Sequence, residues 1–190
     1  MQLTSTNLQL FILSLRDIGK LASYEAQGFK ITSDNKEAIL GVNIIVLAVL
    51  PQKINVVLNE LQGIIEEDQL IIYLVSGVKV NDIQKLLGDN VSVVRAMPNT
   101  AISIRESMTC IATSDIWKNR RGEVTELFEL VLETVTINKE QMTSATALCA
   151  CGIAFFLRAI RAASQGGNET FILLKRLKWR LKQLREQLVY

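Results

Sequence analysis

Short apolar runs alternate with amphipathic segments through most of the chain. The runs Leu8–Leu15, Ile44–Leu50, Leu70–Leu74, Val91–Ala96, Thr109–Thr113 and Thr134–Ile137 have the length and content of strands. Ile44–Leu50 and Leu70–Leu74 are continuously apolar, which predicts strands covered by helices on both faces. Between the runs, Asp17–Gln27, Asn35–Leu40, Lys53–Gly63, Val80–Leu87 and Arg121–Leu132 read as helices. Asp17 and Asn35 are candidate N-caps, while Gly28 and Gly88 stand where helices stop. This alternation predicts an α/β fold with a parallel sheet of βαβ units. After Gln141 the pattern changes. Thr143–Ser164 predicts one long, largely buried helix and Glu169–Val189 a second, with a domain boundary near Lys139.

Composition narrows the chemistry. Of 190 residues, 49% are hydrophobic and 21% charged, with only two prolines, which is enough apolar material for a sizeable core. There is no histidine, so Ser-His and Cys-His mechanisms and the usual zinc spacings are excluded, and no metal is expected. Three cysteines (Cys110, Cys149, Cys151) make a poor disulfide framework. Cys149 and Cys151 diverge by about 200° on a helix, which favours buried small side chains over a metal or redox pair. The longest nearly apolar block, Ala145–Leu157, falls short of the roughly 18 residues of a membrane span. No secretory signal is evident, and a cytoplasmic protein without membrane or nucleic-acid partners is expected. The last 22 residues nevertheless carry six cations against two anions, leaving the rest weakly acidic.

Ligands of open parallel sheets bind beyond the carboxyl ends of the strands. Three such ends are informative. Ala48-Val49-Leu50-Pro51-Gln52 has small residues that would let a flat cofactor approach the backbone, although an ordinary strand-to-helix turn is the simpler reading of this pentapeptide alone. Leu74-Val75-Ser76-Gly77-Val78 ends equally small, with a tight turn as its simpler reading. Val94-Arg95-Ala96-Met97-Pro98-Asn99-Thr100 is the most specific, since Pro98 fixes the backbone and Asn99 and Thr100 offer amide and hydroxyl groups to a pocket wall. Arg95 either pairs with an acid or faces a substrate carboxylate.

These motifs, with Asp34-Asn35-Lys36-Glu37, Met142–Leu148 and Ala162–Gly167, resemble pyrroline-5-carboxylate reductases in order and spacing over roughly Leu8–Gly167. The resemblance implies NADPH-dependent (or NADH-dependent) reduction of the small molecule 1-pyrroline-5-carboxylate, a cyclic imine, to L-proline. It also implies a Rossmann domain followed by an all-helical domain that interlocks the subunits of a homo-oligomer. On that basis residues 1–139 are an incomplete dinucleotide-binding domain. Residues 140–190 are the first helices of the dimerisation domain, ending in a basic tail, and this chain need not oligomerise as its relatives do. By resemblance Asn35, Ala48, Val49 and Pro51 touch the cofactor, as do Ser76, Gly77 and Met97 toward its nicotinamide end. Asn99 and Thr100 face the substrate. Ser14 and Arg16 occupy the place of a 2′-phosphate site, an exposed surface arginine being the alternative. No catalytic side chain is assigned.

The departures matter too. No G-x-G-x-x-G is present, and the chain starts just before the counterpart of the family's second strand. Leu50 replaces the family's usual lysine, and Cys149-Ala150-Cys151-Gly152-Ile153 replaces a small Ser-Gly-Ser-Gly-Pro-like run. After Gly167 the resemblance stops. Leu174, Leu177, Leu181, Leu184 and Leu188 then line a basic amphipathic helix suited to a partner helix or anionic surface. Codons for Lys178–Val189, shifted by one base, can encode a run like the family's next helix, so a frameshift is a second origin for the tail. Little or no turnover is expected of the chain itself. The alternative is a non-enzymatic remnant or interaction module.

Overall fold

The computed structural model describes residues 8–104, 106–113, 120–129 and 133–169. The strands are β1 (Ile12–Ser14), β2 (Lys30–Thr32), β3 (Ile44–Leu47), β4 (Leu70–Tyr73), β5 (Ser92–Met97), β6 (Met108–Thr113) and β7 (Glu133–Thr136). The α-helices are α1 (Ala22–Glu25), α2 (Asn35–Ala38), α3 (Ile54–Leu61), α4 (Val80–Leu87), α5 (Arg121–Glu129), α6 (Met142–Ala145) and α7 (Gly152–Glu169). Compact units divide between Ala145 and Thr146.

Five strands form one sheet in the order β3-β4-β5-β6-β7. β3–β4, β4–β5 and β6–β7 are parallel, and β5–β6 is antiparallel. The antiparallel step follows from its connection, which holds only a 3-10 turn (Thr100–Ile104) and is too short for a right-handed crossover. Every residue of β4 is buried, and its alternation feeds two cores. Ile71 and Tyr73 join Ile45, Leu47, Val93 and the inner faces of α3 and α4. Leu70 and Ile72 join Val94, Ala96, Ile111 and the α5 residues Val124 and Phe128. In α3 the buried residues are Ile54, Leu58 and Leu61, the three-and-four spacing of a helix stripe, and Pro51 opens the 3-10 turn leading into it. α4 stops at Gly88, whose φ of +108° a side chain would resist.

Several expectations are corrected. β3 is only partly covered on its second face, where Ile44 packs against the second core but Val46 is 48% exposed, because it is the edge of this sheet and α5 lies across other strands. The first strand keeps three of the eight residues expected, because its partner β2 is itself only three long, and the pair forms a separate parallel sheet. The Asp17–Gln27 helix is instead a 3-10 turn, Ile18–Leu21, followed by the short α1. Asp17 makes no capping bond there and pairs with Lys20 at 3.4 Å. Asn35 does not cap α2. Asp34 does, accepting the Lys36 N–H at 2.8 Å from an extended backbone.

From Lys139 to Gly166 the chain is one 28-residue helix, with a π-helical stretch at Thr146–Cys151. It is not buried: Leu148 is 72% and Phe155 71% exposed, and Cys151 is exposed as well. Folding the flanking small residues into the helix also makes it long and apolar enough, by length and composition, to cross a membrane, which Ala145–Leu157 alone is not. Nor does a break follow Ser164, since α7 runs on through Gly166 and Gly167 to Glu169. The remainder of the expected tail helix, 170–189, lies outside the described residues.

Candidate functional site

Three parallel strands in register bring the predicted turns to one edge of the sheet. Leu47 pairs with Tyr73, and Tyr73 with Arg95, so the segments leaving β3, β4 and β5 all emerge on the same side. Ala48 and Pro51 are exposed there, while Val49 is half-buried against the core. Ser76 is exposed, and Gly77 has a φ of +78° with open space where a Cβ would stand, so a flat ligand could lie against this backbone. The Tyr73 hydroxyl donates to the Val78 carbonyl at 3.2 Å, tying the turn to the core beneath it. Burial pushes the Tyr73 phenol well above its ordinary pKa, the nearby Arg95 charge opposing that shift and Asp82 adding to it.

Met97 and Asn99 are buried at the end of β5. Asn99 shapes the wall there. Its backbone N–H donates to Ser107 Oγ at 3.0 Å, and its Oδ1 accepts the Ala101 N–H at 2.9 Å, which holds the 3-10 turn. Thr100 opens that turn, and its side chain lies outside the described set. Arg95 does not take the first of its two expected roles, pairing with an acid. Its guanidinium carbon lies 5.9 Å from the centre of the Tyr73 ring, and no acid among the described residues pairs with it. Its Nε is buried without a protein partner.

A second polar group forms where β1, α2 and α3 meet. Ser14 Oγ donates to Asn35 Oδ1, and Asn35 Nδ2 donates to Glu60 Oε2, each at 2.7 Å. Arg16 Nη2 lies 3.9 Å from Glu60 Oε1, with its side chain 81% exposed. Arg16, Ser33, Asp34, Asn35, Lys36 and Glu60 line a cleft of about 360 Å³. Two cations, an amide and a hydroxyl suit the phosphate and ribose of a nucleotide, and the two carboxylates set against them raise its selectivity as a question. Asn35 stands apart from the strand-end turns: from Ile54 to Glu60, α3 rises about 9 Å. The structure thus gathers Ser14, Arg16 and Asn35 in one place and Ala48–Pro51, Ser76–Gly77 and Met97–Asn99 along another.

Sequence reading missed Glu60, Gln69 and Tyr73. A lone Glu on an amphipathic helix looks like a solvated residue, Gln69 looks like a residue leading into an apolar run, and Tyr73 within that run looks like ordinary core. Nothing in the residue pattern marks their partners. Among the described residues no three His, Cys, Asp or Glu side chains cluster as metal ligands would.

No family model matches the chain. It is 38% identical over 170 residues to pyrroline-5-carboxylate reductase 1 of Dictyostelium discoideum, covering 83% of this chain and 31% of that protein. To pyrroline-5-carboxylate reductase 2 of the same organism it is 40% identical over 174 residues, 83% of this chain and 58% of that one. The chain therefore spans roughly a third to three fifths of these relatives. Its fold is similar to the pyrroline-5-carboxylate reductase of Coxiella burnetii, with a TM-score of 0.82 at 26% identity, covering 93% of this chain and 67% of that one. It is similar also to the Plasmodium falciparum pyrroline carboxylate reductase solved with NADP bound, with a TM-score of 0.75 at 23% identity, over 85% of this chain and 62% of that one; this second likeness concerns the fold alone. With the ordered motifs, these similarities place the chain, whose described residues form a mostly parallel Rossmann-type sheet with helices, in the pyrroline-5-carboxylate reductase family.

Proposed function

We propose that these residues serve NADPH-dependent reduction of 1-pyrroline-5-carboxylate to L-proline, with NADH as the alternative donor. The observation that carries this reading is the register of β3, β4 and β5, which lines up three of the motifs the family shares on one sheet edge. Relatives named for the same reaction, and a similar fold solved with NADP, support it. When bound, the cofactor supplies the hydride. The chain's part is to bind and orient two flat molecules and to exclude water, which needs no histidine. Asn35 serves the adenosine end, with Ser14 and Arg16 as the 2′-phosphate donors. Ala48, Val49 and Pro51 make the floor, and Ser76, Gly77 and Met97 face the nicotinamide. Asn99 and Thr100 face the substrate.

We read residues 1–139 as the dinucleotide-binding domain and 140–190 as helical. The protein works in the cytoplasm on a small molecule, without nucleic-acid or membrane partners. The test is titration of the 190-residue chain with NADPH, followed by NADPH oxidation with 1-pyrroline-5-carboxylate. Because the sequence contains no G-x-G-x-x-G, we expect measurable binding but turnover far below that of a full-length relative. Absence of binding at millimolar NADPH would overturn the assignment.

A further inference from the structure

We infer that Glu60 is a positioning and selectivity residue of the dinucleotide cleft: it fixes the Asn35 amide and offsets the Arg16 charge, restraining preference for a 2′-phosphorylated dinucleotide. This role rests on the cofactor reading above.

Asn35 has two hydrogen-bonding ends, and each has one committed partner. Its Oδ1 accepts a hydrogen bond from the Ser14 hydroxyl, so its Nδ2 must point the other way, where Glu60 Oε2 accepts at 2.7 Å. That bond is charge-assisted and part-buried, and it ties α2 to α3. The other carboxylate oxygen faces Arg16 at 3.9 Å. This is a long contact between side chains 81% and 35% exposed, weak enough for Arg16 to leave, yet near enough for the carboxylate to offset the charge that Arg16 offers a phosphate. Lys36 lines the same cleft, and Asp34 is occupied with capping α2. Among the described residues Glu60 is the acid at ion-pair distance from Arg16. A ligand end carrying a phosphate draws on the Arg16 charge that Glu60 offsets, and one ending in a free ribose hydroxyl does not.

The experiment uses the full chain and measures Kd for NADPH and for NADH by calorimetry, for the unsubstituted protein, Glu60→Gln, Arg16→Gln and the double variant. Glutamine keeps an oxygen for Asn35 and removes only the charge. Glu60→Gln should raise the NADPH-over-NADH affinity ratio by about threefold, less at high salt, as for a screened surface charge. The gain should vanish when Arg16 is also replaced, because the two act as a pair. A purely structural role for Glu60 would weaken both dinucleotides alike and leave the ratio still. If the chain binds both dinucleotides and Glu60→Gln does not move the ratio, or moves it equally without Arg16, the role of Glu60 is overturned and the cofactor reading stands. If the unsubstituted chain binds neither, both fall together.

Discussion

Replacing Gln69 with methionine tests how the cleft-bearing segment is fastened to the sheet. Gln69 is 2% exposed and precedes β4. Its Nε2 donates to the Ile39 carbonyl at 2.7 Å and the Val42 carbonyl at 2.8 Å, and its Oε1 accepts the Glu66 N–H at 3.0 Å. One side chain thus clamps the turn between α2 and β3, beside the point where Leu70 N–H meets the Asn43 carbonyl at 2.8 Å. Methionine has a similar length and none of these bonds. Each bond is worth about 1 kcal/mol net, and polar groups left buried and unpaired add to the loss, so the change should cost about 2–4 kcal/mol. In a chain of this size that lowers Tm by about 5–12 °C. Urea unfolding should show the midpoint falling at constant slope, and exchange of the Leu70 amide should accelerate. A loss under about 0.5 kcal/mol, with Leu70 still protected, would refute the reasoning, for it would mean that water replaces the side chain freely at this turn.

Two further outcomes are expected. Stability should hold up to about pH 10 and decline above it, because the unfolded phenol of Tyr73 ionises there while the buried one, with its pKa raised, does not; Tyr73→Phe should flatten part of that decline in denaturant titrations across the alkaline range. In the native chain a maleimide should label exposed Cys151 readily while buried Cys110 reacts only on unfolding, and equal labelling rates would contradict the burial described.

The strands and helices of the central sheet were legible because each carries its own pattern. Leu70–Tyr73 is apolar throughout and buried throughout, and Val80–Leu87 ends at a glycine, as its spacing predicts. The first forty residues were harder. β2 has one apolar residue, Ile31, among its three, too short a stretch to show a period of two, and β1 exists only because β2 pairs with it. The direction of β6 depended on the length of a connection, and the exposure of the Lys139–Gly166 helix on what surrounds it. Neither is a property of the residues themselves. Hydrophobic pattern says which residues avoid water, not which surface covers them.

The same distinction separates the two polar groups. The strand-end turns are legible because backbone geometry demands particular residues there: Pro51 at a first helical turn, Gly77 at positive φ, Asn99 bonding forward to Ala101. The Ser14–Asn35–Glu60 network satisfies no local rule. Its members come from a strand, a helix start and a distant helix, 21 and 25 residues apart in sequence, and each alone is a common surface residue. A chain that merely solvated those side chains would have no reason to point both ends of Asn35 at fixed partners. Committing an amide at both ends costs side-chain entropy, and at a part-buried cleft that cost is best repaid by a ligand that needs the groups preset. On the proposed function, this network, of which sequence reading named Ser14 and Asn35 but not Glu60, would set cofactor selectivity, and the strand-end turns would hold the reacting molecules.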